Sequence, residues 1–192
     1  MKKTLIFLII FLSTISNISA EDIKRISIGN KDVKITIIAF ESLTCSHCAN
    51  FHTDVYPQLK KEYLDTGLAK IEFRHFPLDI AAFNASKISQ CKNDGSSIIL
   101  TSLYENQQEW VKGSSAEEAN KNLKSFLIKE GFDLDFDKCI NNKKIEDFVL
   151  NDRIDGVKKF KVNATPTIII NDEKFDKSLN YKNLKKALEK LI

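Results

Sequence analysis

From Val33 to Phe40 the chain is apolar at every position except Lys34 and Thr36, a run that predicts a strand buried on both faces of a sheet. The period then changes. Phe51, Val55, Leu59 and Tyr63 recur every four residues and predict a helix, which Pro57 is expected to bend or break. Ala69 to Phe76, with Ile71 and Phe73 in alternation, reads as a second strand, entered through Thr66-Gly67 and stopped by Pro77. The three make a strand, helix, strand unit, for which a right-handed crossover is the rule. Ahead of it, Ile23 to Ile28 is a short edge-strand candidate closed by Gly29-Asn30.

Between Leu78 and Lys161 the pattern is helical and no strand is predicted. Ala81 to Cys91 is one helix; Ile98 to Trp110 follows the turn residues Asp94-Gly95-Ser96; Ser115 to Lys129 opens on a capping box, Ser115 with Glu118, and stops at Gly131. Phe136 to Lys161 predicts two more helices, with a break near Asn151 or Gly156. Thr167 to Ile170 is a strand, Asn171-Asp172 a turn, Lys174-Phe175 a partner strand, and Tyr181 to Ile192 an amphipathic helix with Leu184, Leu188 and Leu191 on one face. The expectation is an α/β fold with a parallel or mixed sheet, in which residues 21–77 and 162–192 form one domain and residues 78–161 an inserted helical subdomain.

The first twenty residues read differently. Lys2 and Lys3 are followed by an unbroken apolar run, Leu5 to Leu12, and by Ile18-Ser19-Ala20 before Glu21, the layout of a secretory signal peptide. The run is shorter than the roughly 20 residues needed to span a bilayer. An uncleaved anchor is the alternative. Removing residues 1–20 takes away two lysines and no acids, so a formal charge of +3 from 29 basic and 26 acidic residues becomes 27 minus 26, or +1. Such a balance gives no reason to expect a nucleic-acid partner. Runs such as Lys158-Lys159-Phe160-Lys161 are read as solvated helix faces. All four cysteines lie beyond the leader and suit a compartment where disulfides persist.

The chemistry is expected where the strand ending at Phe40 hands over to the helix, in Glu41-Ser42-Leu43-Thr44-Cys45-Ser46-His47-Cys48. A sulfur at the mouth of a helix faces free backbone N–H groups and the positive end of the dipole, both of which favour thiolate. Cys48 returns to the same face one turn inward, within reach of a mixed disulfide held on Cys45. The pair is thus a reversible two-electron switch that needs no cofactor. A buried structural bridge is the bland alternative. A zinc site built from Cys45, Cys48, His47 and His52 is another, opposed by the different faces on which adjacent helical residues point. Haem attachment is excluded by Ala49, where histidine would be needed.

Cys-x-x-Cys between a strand and a helix, with Thr165-Pro166 just before a late strand, resembles the thioredoxin superfamily. Cys45-Ser46-His47-Cys48, the long helical insertion and the leader narrow the likeness to DsbA-like thiol:disulfide interchange proteins. Ser42-Leu43-Thr44-Cys45, Phe51-His52, Phe76-Pro77-Leu78-Asp79 and Ala164-Thr165-Pro166-Thr167 resemble the branch with a second cysteine pair in the helical part.

The resemblance implies a thioredoxin-like fold in which Cys45 attacks and Cys48 resolves. His47, with Ser46, would tune the thiolate by a hydrogen bond or positive charge, a solvated surface histidine being the alternative; Ser46 stands where the best-known members have proline. Thr165 and a cis Pro166 would pair with extended substrate. The acid that many relatives carry six residues before the first cysteine is absent, since that residue is Ala39. Glu41 is then the nearest candidate for proton transfer, a surface role being the alternative, and His52 and His75 are read as structural. Cys91 and Cys139 are expected to form a structural disulfide, with free buried thiols as the alternative. Implied partners are unfolded secreted proteins and a membrane quinone-linked reoxidant of the DsbB type. With no dimerisation segment visible after residue 20, a monomer is expected. Competing functions are an isomerase or reductase of the same fold, and a non-catalytic metal- or peptide-binding module.

Overall fold

The computed structural model describes residues 22–192, so the leader expected over residues 1–20 lies outside the described residues. β1 (Ser27–Gly29), β2 (Ile35–Glu41), β3 (Ala69–His75), β4 (Thr167–Ile170) and β5 (Glu173–Lys174) form one mixed sheet in the order β1-β3-β2-β4-β5. β2 pairs with β3 in parallel, from Ile35 opposite Ala69 to Glu41 opposite His75; the β1–β3, β2–β4 and β4–β5 pairs are antiparallel. The non-alternating sequence of β2 follows from its central place. Ile35, Ile37 and Ala39 enter the larger core with Ile71, Phe73 and Ile168, while Ile38 and Phe40 face a smaller one with Phe76, Val162 and Ile169.

The helix that leaves β2 is not broken by Pro57. α1 (Ser46–Asn50) widens into a π-helical turn, Phe51–Val55, narrows to α2 (Tyr56–Leu59), and widens again over Lys60–Leu64. Pro57 falls in the first turn of α2, where a missing N–H costs least, and the turn before it is closed by the Tyr56 N–H donating to the Phe51 carbonyl. Bending or breaking therefore gives way to local widening.

Every helix or strand between Ile80 and Phe160 is helical: α3 (Ile80–Gln90), α4 (Ile98–Glu105), α5 (Gln107–Trp110), α6 (Ala116–Lys129), α7 (Phe136–Ile140) and α8 (Lys143–Phe160). Side chains of Asp79, Ser115, Asp135 and Asn142 accept hydrogen bonds from the first-turn amides of α3, α6, α7 and α8. The Ser115 hydroxyl accepts from the Glu118 N–H as the capping box requires, and the Glu118 carboxylate reaches back, chiefly to the N–H and hydroxyl of Ser114 and more weakly to the N–H of Ser115. The break expected near Asn151 or Gly156 lies at Asn141-Asn142, and α8 runs through both positions. Gly156 marks close packing: an added Cβ would stand 2.9 Å from Cε1 of Phe40. α9 (Tyr181–Leu188) closes the chain with Leu184 and Leu188 buried. Ile88, Leu100, Leu103 and Trp110 of the inserted helices share the larger core with β2 and β3, so sheet and insertion are held by one apolar interior. Cys91 and Cys139 are joined by a disulfide, with Cα atoms 5.4 Å apart, tying the end of α3 to α7.

Candidate active site

The loop from β2 to α1 is fixed from several sides. The Cys45 N–H donates to the Ser42 carbonyl at 3.0 Å, the Leu78 N–H to the Ser42 hydroxyl at 3.2 Å, and the Thr44 hydroxyl to Asp79 at 2.7 Å. From α5, the buried Gln107 amide donates to the carbonyls of Leu43 at 2.8 Å and Cys45 at 3.1 Å. Cys45 itself sits in extended geometry at the N-cap of α1. Its sulfur is half-buried and that of Cys48 is sealed in the core; both are free thiols.

The two sulfurs are unlike. The Cys45 thiol falls from its ordinary 9.0 to about 5, first because the Cys48 thiol donates a hydrogen bond to it and then, against a desolvation penalty, because the Thr165 side chain and the backbone N–H groups of Cys48 and His47 also serve the anion. Burial pushes Cys48 far up, and its donation to Cys45 and the charge of Glu41 add to the rise. Cys45 Sγ also lies 3.3 Å from the Thr165 carbonyl, a contact in which only the neutral thiol can donate. The Thr165 hydroxyl is buried and makes no hydrogen bond of its own in this geometry, yet the Thr165 side chain beside the sulfur favours the thiolate form. The Thr165-Pro166 peptide bond is cis.

Cys45, Cys48, Thr165 and Pro166 thus converge on one point. Ser46 and His47 project to solvent, and the His47 ring makes no hydrogen bond to Cys45; it is the His47 N–H that faces the sulfur. The ring lines a groove of about 430 Å³ with Phe51, Val55, Pro166 and Leu179 as apolar walls and Asn50, Asp54 and Asn180 at its edge.

The surface role allowed for Glu41 is wrong. Glu41 is buried and its Oε2 lies 3.0 Å from Nε2 of the equally buried His52. Strand pairing carries the end of β2 beneath α1, and the desolvated carboxyl is raised above its ordinary value although His52 pulls it down. His52 stacks on Tyr104 of α4 with ring centroids 4.1 Å apart. His75 is buried on the sheet, where desolvation lowers it to about 4, and its N–H donates to Asp152, which pairs with Arg25. Gln107, the Thr44–Asp79 contact and the Glu41–His52 pair had no sequence signal beyond residue type. Among the described residues no group of three or more His, Cys, Asp or Glu is placed to hold a metal ion, and no helix is long and apolar enough to cross a membrane.

A family model described as thioredoxin matches residues 21–190. The chain belongs to the thioredoxin family. Among the family's solved structures it is similar to α-DsbA1 of Wolbachia pipientis, with 28% identity, a TM-score of 0.76, and 87% of this chain and 90% of that one covered. It is 27% identical over 176 residues to disulfide bond formation protein D of Bacillus subtilis, covering 85% of this chain and 75% of that protein. It is 26% identical over 169 residues to a Rickettsia bellii protein provisionally named protein-disulfide oxidoreductase, covering 86% of this chain. The chain spans 63% of the length of that rickettsial relative. Within the thioredoxin family, the likeness to α-DsbA1 and to disulfide bond formation protein D makes this a DsbA-like chain.

Proposed function

We propose that the protein is an exported, monomeric thiol:disulfide oxidoreductase that donates a Cys45–Cys48 disulfide to unfolded secreted proteins in the periplasm. The observation that carries this reading is the contrast between the sulfurs: Cys45 accessible and lowered to about 5, Cys48 sealed and raised. Stabilising the thiolate stabilises the reduced protein, which makes its disulfide the stronger oxidant.

A substrate thiolate attacks Cys45 Sγ, the bond to Cys48 breaks, and a mixed disulfide forms on Cys45. A second substrate thiolate then attacks the substrate sulfur, Cys45 leaves as thiolate, and the protein is left with two more electrons while the substrate gains a disulfide. Cys45 is a good leaving group because its anion is held by N–H groups and the Cys48 thiol. Thr165 and Pro166 border the sulfur and offer backbone to an extended substrate, and the groove beyond them takes an apolar side chain. His47 and Ser46 act at the rim, where they meet substrate. A membrane quinone-linked partner of the DsbB type returns the disulfide to Cys45.

The test is a glutathione redox titration of the Cys45 pair together with oxidative refolding of a reduced, unfolded substrate. An oxidising potential and refolding lost in Cys45→Ala support the reading. A potential near that of thioredoxin, with no refolding activity, replaces it by a reductase.

A further inference from the structure

We infer that Gln107, carried in by the inserted helices, is a positioning residue for the reactive sulfur: its side-chain amide holds the Cys45 peptide unit out of α1 and so keeps the sulfur over the first N–H groups of that helix. The role rests on the exchange chemistry proposed above. Gln107 Nε2 donates to the Leu43 carbonyl at 2.8 Å and to the Cys45 carbonyl at 3.1 Å, so both of its N–H bonds are used on the one loop between β2 and α1.

The amide comes from a fixed support. Gln107 is buried, and three residues on, Trp110 of the same short helix is wholly buried, with its Nε1 donating to the Leu103 carbonyl at 2.8 Å; this pins α5 to α4. On the loop side, the Cys45 carbonyl also accepts from the N–H groups of Cys48 and Ala49, each at 3.1 Å. The Leu43 carbonyl differs. Among the described residues no backbone N–H outside helices and strands donates to it, and its bond to Gln107 is buried, so removing the amide leaves an acceptor without a donor.

The consequence falls on one torsion. Holding the Cys45 carbonyl holds the plane of the Cys45–Ser46 peptide and with it the ψ of Cys45, which stands at 118° with φ at −80°, extended geometry at the N-cap of α1. Cysteine is not among the residues that cap helices well, and here its neutral side chain makes no capping hydrogen bond. The extended turn is therefore held from outside, by Gln107. Wound into the helix instead, Cys45 would carry its sulfur along the helix side, away from the N–H groups of His47 and Cys48 that serve the anion. Those groups stabilise a thiolate and do little for a sulfur in a disulfide. Loss of Gln107 should thus weigh on the reduced protein and spare the oxidised one, whereas loss of a merely structural contact would weigh on both alike.

The experiment compares the full chain with Gln107→Met, which keeps the length of the side chain and removes its donors. Two quantities are read: the pH midpoint of Cys45 alkylation by iodoacetamide in the reduced protein, and the equilibrium constant of the Cys45 pair with glutathione at pH 7. The expected result is a midpoint raised from near 5 by about one pH unit, and a constant shifted about tenfold toward the disulfide, or about 30 mV for a two-electron couple. An unmoved midpoint in the folded variant overturns the role, whether or not the constant shifts and even where urea unfolds both redox forms earlier, because Gln107 would then only brace the fold. Should Gln107→Met not fold, Gln107→Ala, which leaves room for water at the two carbonyls, is read in the same way and decides by the same outcomes. An unsubstituted chain whose Cys45 alkylates as an ordinary thiol removes the exchange function and this role with it; a failure confined to the variants removes the role alone.

Discussion

At the scale of single residues, the reactive sulfur is governed by what donates to it. The Cys48 thiol is the largest contributor to the Cys45 anion, followed among favourable groups by the Thr165 side chain and two backbone N–H groups; the His47 ring, which lies nearest in sequence, is not one of them. Alkylation of Cys45 by iodoacetamide is therefore expected to rise with pH through a midpoint near 5. Thr165→Val removes the hydroxyl and leaves the carbonyl 3.3 Å from the sulfur, so only the contact that favours the neutral thiol remains. Its midpoint should move upward, and the same alkylation profile measures it. A midpoint that stays near 5 would assign the lowering to the backbone and Cys48 alone.

At the scale of elements, two features join the sheet to the inserted helices. In an exposed helix, Gly to Ala stabilises by about 1 kcal/mol. At Gly156 the steric term opposes this gain, because the new Cβ meets Cε1 of Phe40 at 2.9 Å and Cδ2 of Phe76 at 3.2 Å, both rings being buried and packed edge to face. Overpacking of this kind costs about 1–3 kcal/mol, so Gly156→Ala should lower the urea midpoint. The Cys91–Cys139 bridge closes a loop with a sequence separation of 48 residues. Replacing both cysteines by alanine should cost about 4 kcal/mol in the chain-entropy picture, read from denaturant curves against the bridged protein. A loss well below that would mean that the unbridged chain keeps α3 and α7 together when unfolded.

At the scale of the molecule, what could be read in advance follows from how far apart the cooperating residues lie. β2 was legible because two-sided burial leaves a continuous apolar run, and the Cys45–Cys48 pair because its geometry is local to one helix entry. The widened turns around Pro57 were not, since a proline says that an α-helical bond is lost and not how the backbone absorbs it. Gln107 reaches the Cys45 loop from 62 residues away, and Glu41 and His52 meet only once β2 is laid under the helix. A lone glutamate at a strand end ordinarily lies in water, and only its tertiary neighbours overrule that expectation.

The same long-range packing makes the state of one sulfur a property of the whole fold. In the reduced protein the Cys45 thiol is depressed from its ordinary 9.0 to about 5, so the folded state binds fewer protons than the unfolded chain between those values. The stabilisation is complete above the unfolded value and is lost as pH falls through the folded one. In the oxidised protein Cys45 does not titrate, and this contribution vanishes. Stability of the reduced form relative to the oxidised form should therefore grow from pH 5 toward pH 9, as measured by paired urea unfolding of both forms at each pH. Since Cys45 is partly solvent-exposed, the size of the trend is screened, but its sign is fixed by the direction of the shift. A gap that narrowed with rising pH would show the sulfur to be an ordinary thiol, and the oxidising power argued from its anion would lose its physical source.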